Sequence, residues 1–302
     1  MSADRILKWV TASFAMIVVV LLCGIGIMLL VKSWPAIHTF TWHFPLTRLW
    51  DPVQGAFGAL PFIYGTVVSS LLALMMALPL GLGIAIFLVE LCPDRLKGTI
   101  AFLVELLAAI PSVIYGLWGI FFLVPWLRET IEPWCIEHLG VVPLFEGPPY
   151  GIGMCAAGLV LAIMILPIIA SISRDVLETV PNDQREAALA LGATRWEMIR
   201  TAVLPYGRSG LFGACFLGLG RALGETMAVT MVIGNRPEIS TSLFHPAATM
   251  ASVVANEFTE ATGELYLSAL FGIGLVLLSI TFLVNLGARW LVLSIGRLPQ
   301  GT

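Results

Sequence analysis

The chain has 302 residues, of which 58% are hydrophobic and 12% charged, with a net charge of −3. Soluble domains carry about 25% charged residues, so this chain lacks the polar surface to coat a water-soluble globule and reads as a polytopic all-α membrane protein. Its 16 basic residues are scattered rather than striped, which argues against nucleic-acid binding, and neither its five cysteines nor its four histidines show disulfide-framework or metal-ligand spacing.

A bilayer core takes about 20 apolar residues per helix. Six stretches qualify, at 9–31, 61–89, 99–125, 150–173, 209–234 and 266–293. The first follows Arg5 and Lys8 as a signal peptide would, but it is about twice as long as a signal core and no A-x-A site follows, so it reads as an uncleaved span. Residues 32–60 carry Trp34, Phe40, Trp42, Phe44, Trp50 and Phe57, expected as an interfacial aromatic belt or as a docking surface. Glu90 closes the second span and is expected at the interface. Within the third, Glu105 is expected to meet a nearby arginine. Ser112 and Tyr115, just past Pro111, place hydroxyls at mid-depth, either to satisfy backbone groups that the proline frees or to line a pathway. Residues 126–149 mix Trp126, Trp134 and Ile136 with Glu129, Glu132 and Glu137, the pattern of a short amphipathic helix lying at the interface.

Basic residues fix the orientation. With the N-terminus inside, eleven of them fall on the cytoplasmic side (Arg297 among them), four fall outside and Arg221 lies within a span. Six spans then put both termini in the cytoplasm. The longest cytoplasmic loop, 174–208, reads as two short helices, 184–191 and 194–203, hinged at Gly192 and ended by Pro205; Thr194 and Glu197 form a capping-box pattern. Ala187, Ala188 and Leu191 form a small apolar face there, open to close approach by another surface or used in self-packing. Arg185 and Arg195 flank it, where they could pair with acids of a partner.

Arg221 stands about 12 residues from either end of the fifth span, roughly 18 Å deep at 1.5 Å per residue. An arginine at mid-bilayer costs roughly 2.5–3.5 kcal/mol even on insertion scales, so it points to function. Glu225, four residues on, shares its face if the helix is continuous, along a stripe of small residues that includes Ala214, Gly218, Gly224 and Ala228; Gly220 and Gly224 form a small-xxx-small pair. The two charges either neutralise each other or make an anion way-station, with the guanidinium as a forked donor to oxyanion oxygens. Phosphate keeps a proton at neutral pH and can donate to Glu225; fully ionised sulfate cannot.

Glu186-Ala187-Ala188, then Gly192, then Leu204-Pro205 resembles the EAA loop of ABC-importer permeases, with Ala202 where that pattern has isoleucine. The runs P-F-I-Y-G-T at 61–66, E-L-L-A-A-I-P-S-V-I-Y-G-L-W-G at 105–119 and G-R-A-L-G-E-T-M-A-V-T at 220–230 are similar to the phosphate-specific transport permeases of PstC type. The resemblance implies a MetI-like type I ABC-importer fold with one extra N-terminal helix: residues 1–60 as that helix and a periplasmic segment, 61–302 as the permease domain. It implies Glu186, Ala187, Ala188 and Gly192 as the residues coupling to the ATPase, and Arg221 and Glu225, with Ser112 and Tyr115, on the phosphate path. It also implies a PstA-type permease, a PstB-type ATPase dimer holding ATP and magnesium, and a periplasmic PstS-type binding protein as partners, all at a bacterial inner membrane. This chain has no G-x-x-x-x-G-K-[ST] loop, so it is expected to be a transport subunit without an ATPase site or bound cofactor. The alternatives are a permease for sulfate or molybdate and an ion-coupled secondary transporter, though the latter leaves the EAA loop unexplained.

Overall fold

The computed structural model describes residues 3–296, so Arg297 and the remaining residues to 302 lie outside the described residues. The apolar runs become helices: α1 (Ala3–Phe40), α2 (Leu60–Ile86) running into a π-helical turn at Phe87–Leu91, α3 (Asp94–Ala108), α4 (Ser112–Trp118), α5 (Val124–Trp126), α6 (Glu132–Leu139), α7 (Met154–Glu178), α8 (Asn182–Ala190), α9 (Arg195–Met198), α10 (Leu204–Leu223), α11 (Met227–Val232), α12 (Met250–Glu257) and α13 (Glu264–Gly296). Among the described residues four helices are long and apolar enough to cross a membrane: Leu7–Phe40, Leu60–Leu91, Met154–Glu178 and Glu264–Ser294. At the centre α7 packs along α2 and α10, and its buried face of Ala156, Ala157, Val160, Leu161, Ile165 and Ile169 carries the main core. α1 lies against α13, outside that core.

Two of the six expected spans are not single helices. The third bends by 86° between Asp94–Ala108 and Ser112–Leu139. Pro111 removes a donor and biases Ile110 away from helical dihedrals. Its neighbours Pro35, Pro79 and Pro167 are carried inside continuous helices. The fifth ends at Leu223 and restarts at Met227, leaving Gly224, Glu225 and Thr226 between two helix ends.

The amphipathic helix expected in 126–149 is instead the far end of one long helix from Ser112 to Leu139. Two prolines would break it, but each follows a five-residue π-helical turn: Gly119–Leu123 precedes Pro125, and Leu127–Ile131 precedes Pro133. A π turn bonds i to i+5 and so absorbs the missing donor and the ring clash of a proline. The same device at Ile199–Val203 precedes Pro205, so Pro205 opens α10 rather than ending the cytoplasmic unit as its sequence suggests.

The aromatics of 32–60 are not a uniform belt. Phe44, Trp50 and Phe57 are buried, whereas Trp34 is exposed; the Trp42 side chain lies outside the described residues. The Trp50 ring centroid lies 4.9 Å from those of Phe57 and Phe62, and Trp50 Nε1 and Tyr266 Oη donate to one oxygen of Glu257 at 2.9 and 2.7 Å. An indole and a phenol tolerate burial when their polar tips find an acceptor. The segment after α1 is thereby fastened to α12 and α13.

Candidate functional site

The breaks in the third and fifth spans face each other. α4, which restarts after Pro111, packs on α11, which restarts after Thr226. Gly116 permits the contact: a Cβ there would lie 2.6 Å from Met231 Sδ and 3.0 Å from Ala228 Cα. Tyr115 is buried and its hydroxyl donates to the Leu107 carbonyl at 2.7 Å, across the Pro111 bend. That meets the first expectation for this hydroxyl, a backbone group freed by the proline. Ser112 is half-buried.

Arg221 is exposed and lies in the last turn of α10. The unpaired carbonyls of a helix C-terminus favour a cation there. Glu225 is half-buried and its Oε1 accepts the Ala228 N–H, at the start of α11, at 3.3 Å. The two charges are therefore not one turn apart on one face, as a continuous helix would place them. Each is matched to its own helix end, and among the described residues no carboxylate lies within 4.0 Å of Arg221. The stripe of small residues divides as well: Gly218 packs on Ile165 and Ile169 of α7, while Gly220 has open space beside it, so among the described residues no other helix closes on the Gly220/Gly224 pair. Beside Tyr115 a groove of about 290 Å³ is lined by Ile110, Ile114, Tyr115, Trp118 and Ile163. It is too apolar for an anion; the charged groups of this region are the exposed Arg221 and the half-buried Glu225 at the facing helix ends.

The second cluster is the unit after α7. Gly192 has φ +86°, which glycine adopts without strain, and turns the chain between α8 and α9. Thr194 and Glu197 form the expected capping box. The backbone N–H and hydroxyl of Thr194 both donate to Glu197, holding its carboxyl below the usual range. Glu186, Ala187 and Leu191 are exposed, Leu191 by 90%. Ala188 instead rests on a core of Ala85, Leu177, Val180, Met198, Ile199 and Val203, so the apolar face expected from Ala187, Ala188 and Leu191 is split between outside and inside.

Arg185 also departs from expectation. Rather than facing outward, it binds Glu90 at the end of α2, its Nη2 2.9 Å from Glu90 Oε1. Sequence spacing gave no sign of this, because the two residues are 95 positions apart. Glu105 does meet an arginine, Arg174, at 3.0 Å, and Lys97 meets Glu178 at 2.9 Å.

Residues 77–297 match the family described as "Binding-protein-dependent transport system inner membrane component". The chain is 52% identical to the phosphate transport system permease protein PstC of Mesorhizobium japonicum, over 97% of this chain and 90% of that protein. It is 48% identical to the protein of the same name from Haemophilus influenzae, over 96% and 93%. Among solved structures it resembles the inward-facing MetNI methionine ABC transporter (TM-score 0.59, 17% identity, 82% of this chain and 99% of that one). It also resembles a bacterial ABC transporter that imports the acidic polysaccharide alginate (TM-score 0.62, 15% identity, 95% and 97%). These two likenesses bear on the fold.

Proposed function

Because the chain belongs to the binding-protein-dependent transport system inner membrane components and, within them, to the PstC-type permeases of phosphate ABC importers, we propose a division of labour among its parts. It is a multi-pass permease subunit with a MetI-like fold, one component of a phosphate importer that has other subunits. In our reading it lies in a bacterial inner membrane with both termini cytoplasmic, the orientation that puts eleven of its sixteen basic residues inside. It pairs with a PstA-type permease. A dimer of PstB-type ATPases, which carries the ATP and magnesium, receives α8 through Glu186, Ala187, Ala188 and the Gly192 turn. A periplasmic PstS-type protein delivers phosphate.

The observation that carries the site is the exposed guanidinium at a helix break. Among the described residues Arg221 has no carboxylate in ion-pair range, so its forked donors are open to an oxyanion. Its exposure in the single chain suits half of a pathway whose other wall is the second permease. Closure of the ATPases drives the paired coupling helices together and opens this face toward the periplasm. Phosphate then meets Arg221, with Ser112 beside it and Glu225 accepting the proton that phosphate retains, while Tyr115 braces the bend in the wall.

This arrangement selects by protonation. In proteoliposomes holding the full complex, unlabelled sulfate in excess is expected to leave labelled phosphate uptake unchanged. Glu225→Gln, which removes the negative charge that repels a fully ionised anion, is expected to let sulfate compete. Equal competition by sulfate in the unaltered protein removes the carboxylate's selective role.

A further inference from the structure

α8 buries none of its residues completely, and its chief apolar contact with the rest of the chain is the half-buried Ala188. What ties it down is Arg185. That guanidinium donates from Nε at 3.0 Å and from Nη2 at 2.9 Å to Glu90 Oε1, from Nη2 to the Leu177 carbonyl at 3.0 Å, and from Nη1 to the Val180 carbonyl. Asn182 Oδ1 lies 3.4 Å from Nη1. One side chain thus spans three elements: α8, the π-helical end of α2 that carries Glu90, and the end of α7, through the carbonyls of Leu177 and of Val180 just beyond it.

The pair is also shielded. The side chains of Arg185 and Glu90 are 15% and 7% exposed, against 53% for Glu105 and 42% for Glu178 in the neighbouring pairs. Exposed pairs contribute little. A desolvated pair in which one partner is removed leaves a stranded charge, so its geometry is held firmly. Below it lies a firm bed of Ile86, Val89, Leu177 and Val180.

We propose that the Arg185–Glu90 pair is the joint through which movement of α8 is passed to α2 and α7. Arg185 is a positioning residue for transport: it touches neither phosphate nor ATP. The proposal rests on the reading of α8 as the helix that meets the ATPase. A push on α8 reaches α2 and the end of α7 through this guanidinium. Because α2 and α7 pack along each other and along α10, the displacement arrives at the helix that carries Arg221 in its last turn. Without the joint, α8 still meets the ATPase but slips on its bed.

The test uses the whole complex in proteoliposomes, carrying Arg185→Ala, Arg185→Lys or Glu90→Gln. Three quantities are read: co-purification of the ATPase, basal ATP hydrolysis, and phosphate uptake together with the hydrolysis stimulated by loaded binding protein. Arg185→Ala is expected to keep assembly and basal hydrolysis while uptake and stimulation fall roughly tenfold, within the ordinary range of coupling between sites. Arg185→Lys keeps the charge and recovers part of the coupling. Glu90→Gln combined with Arg185→Ala loses no more than Arg185→Ala alone. Where Arg185→Ala fails to assemble, the two milder variants carry the test. Unchanged uptake in all three overturns the joint, as does loss of uptake only in step with loss of assembly, which marks a static anchor. Glu186→Arg with Leu191→Asp separates the two layers of argument. If the ATPase still binds and couples, the reading of α8 fails. If binding is lost while the Arg185 variants stay fully coupled, only the joint fails.

Discussion

Replacement of Arg221 by alanine is expected to reduce phosphate uptake by at least about a hundredfold while the complex still assembles. The magnitude follows from the chemistry of the fork. Hydrogen bonds from a charged group contribute about 1.5–3 kcal/mol each, and losing two of them in a partly desolvated path is roughly a hundredfold or more at 1.36 kcal/mol per tenfold. The retained assembly follows from the structure. Were Arg221 the partner of Glu225, its removal would strand a carboxylate inside the membrane. Glu225 is instead held by the Ala228 N–H, and no ion pair is broken. Removing an arginine from mid-span also relieves an insertion cost. Arg221→Lys keeps the charge and loses the bidentate geometry, so its uptake should fall between the two. Co-purification and radiolabelled phosphate uptake decide the matter: disassembly of the Arg221→Ala complex assigns the residue to packing, and near-normal uptake removes it from the path.

What could be read in the sequence was what depends on local pattern. The apolar runs located the helices, Thr194 and Glu197 announced their cap, and Gly192 announced a turn that needs positive φ. The features that make the site were set by partners distant in sequence. Glu225 appeared to share a face with Arg221 because a periodic pattern cannot show that the helix stops between them. Pro111 breaks its span while Pro79 and Pro167 do not, although each interrupts an apolar run. Pro125, Pro133 and Pro205 each sit two residues beyond a π-helical turn, so a proline inside a long helical pattern need not end it. From sequence Arg185 could pair with acids of a partner; its partner within the chain, Glu90, arrives with α2. Phe44, Trp50 and Phe57 have the composition of a membrane belt, and the approach of α2, α12 and α13 encloses them.

Gly116→Val tests whether the two facing breaks work as one unit, and it is expected to abolish most uptake in a complex that still forms. Gly116 of α4 faces Ala228 and Met231 of α11, and each helix restarts just after a break in its span. A Cβ there meets Met231 Sδ at 2.6 Å and Ala228 Cα at 3.0 Å. The thioether can swing aside, whereas the backbone atom moves only if α11 moves. Valine adds two methyl groups beyond that Cβ, so α11 has to shift away from α4 and carry the end of the Gly224–Thr226 break with it. Overpacking of this kind costs about 1–3 kcal/mol, which becomes a roughly 5–150-fold loss if it falls on the arrangement needed for passage. Gly116→Ala should be milder and should be rescued in part by Met231→Ala, which clears the nearer atom; the same second change should do little for Gly116→Val, where Ala228 Cα is the obstacle. Uptake and thermal stability of the purified complex separate the outcomes. Normal uptake by Gly116→Val means that the spacing of α4 and α11 is immaterial to transport. Rescue of both variants by Met231→Ala means that the sulfur alone, and not the backbone of α11, sets that spacing.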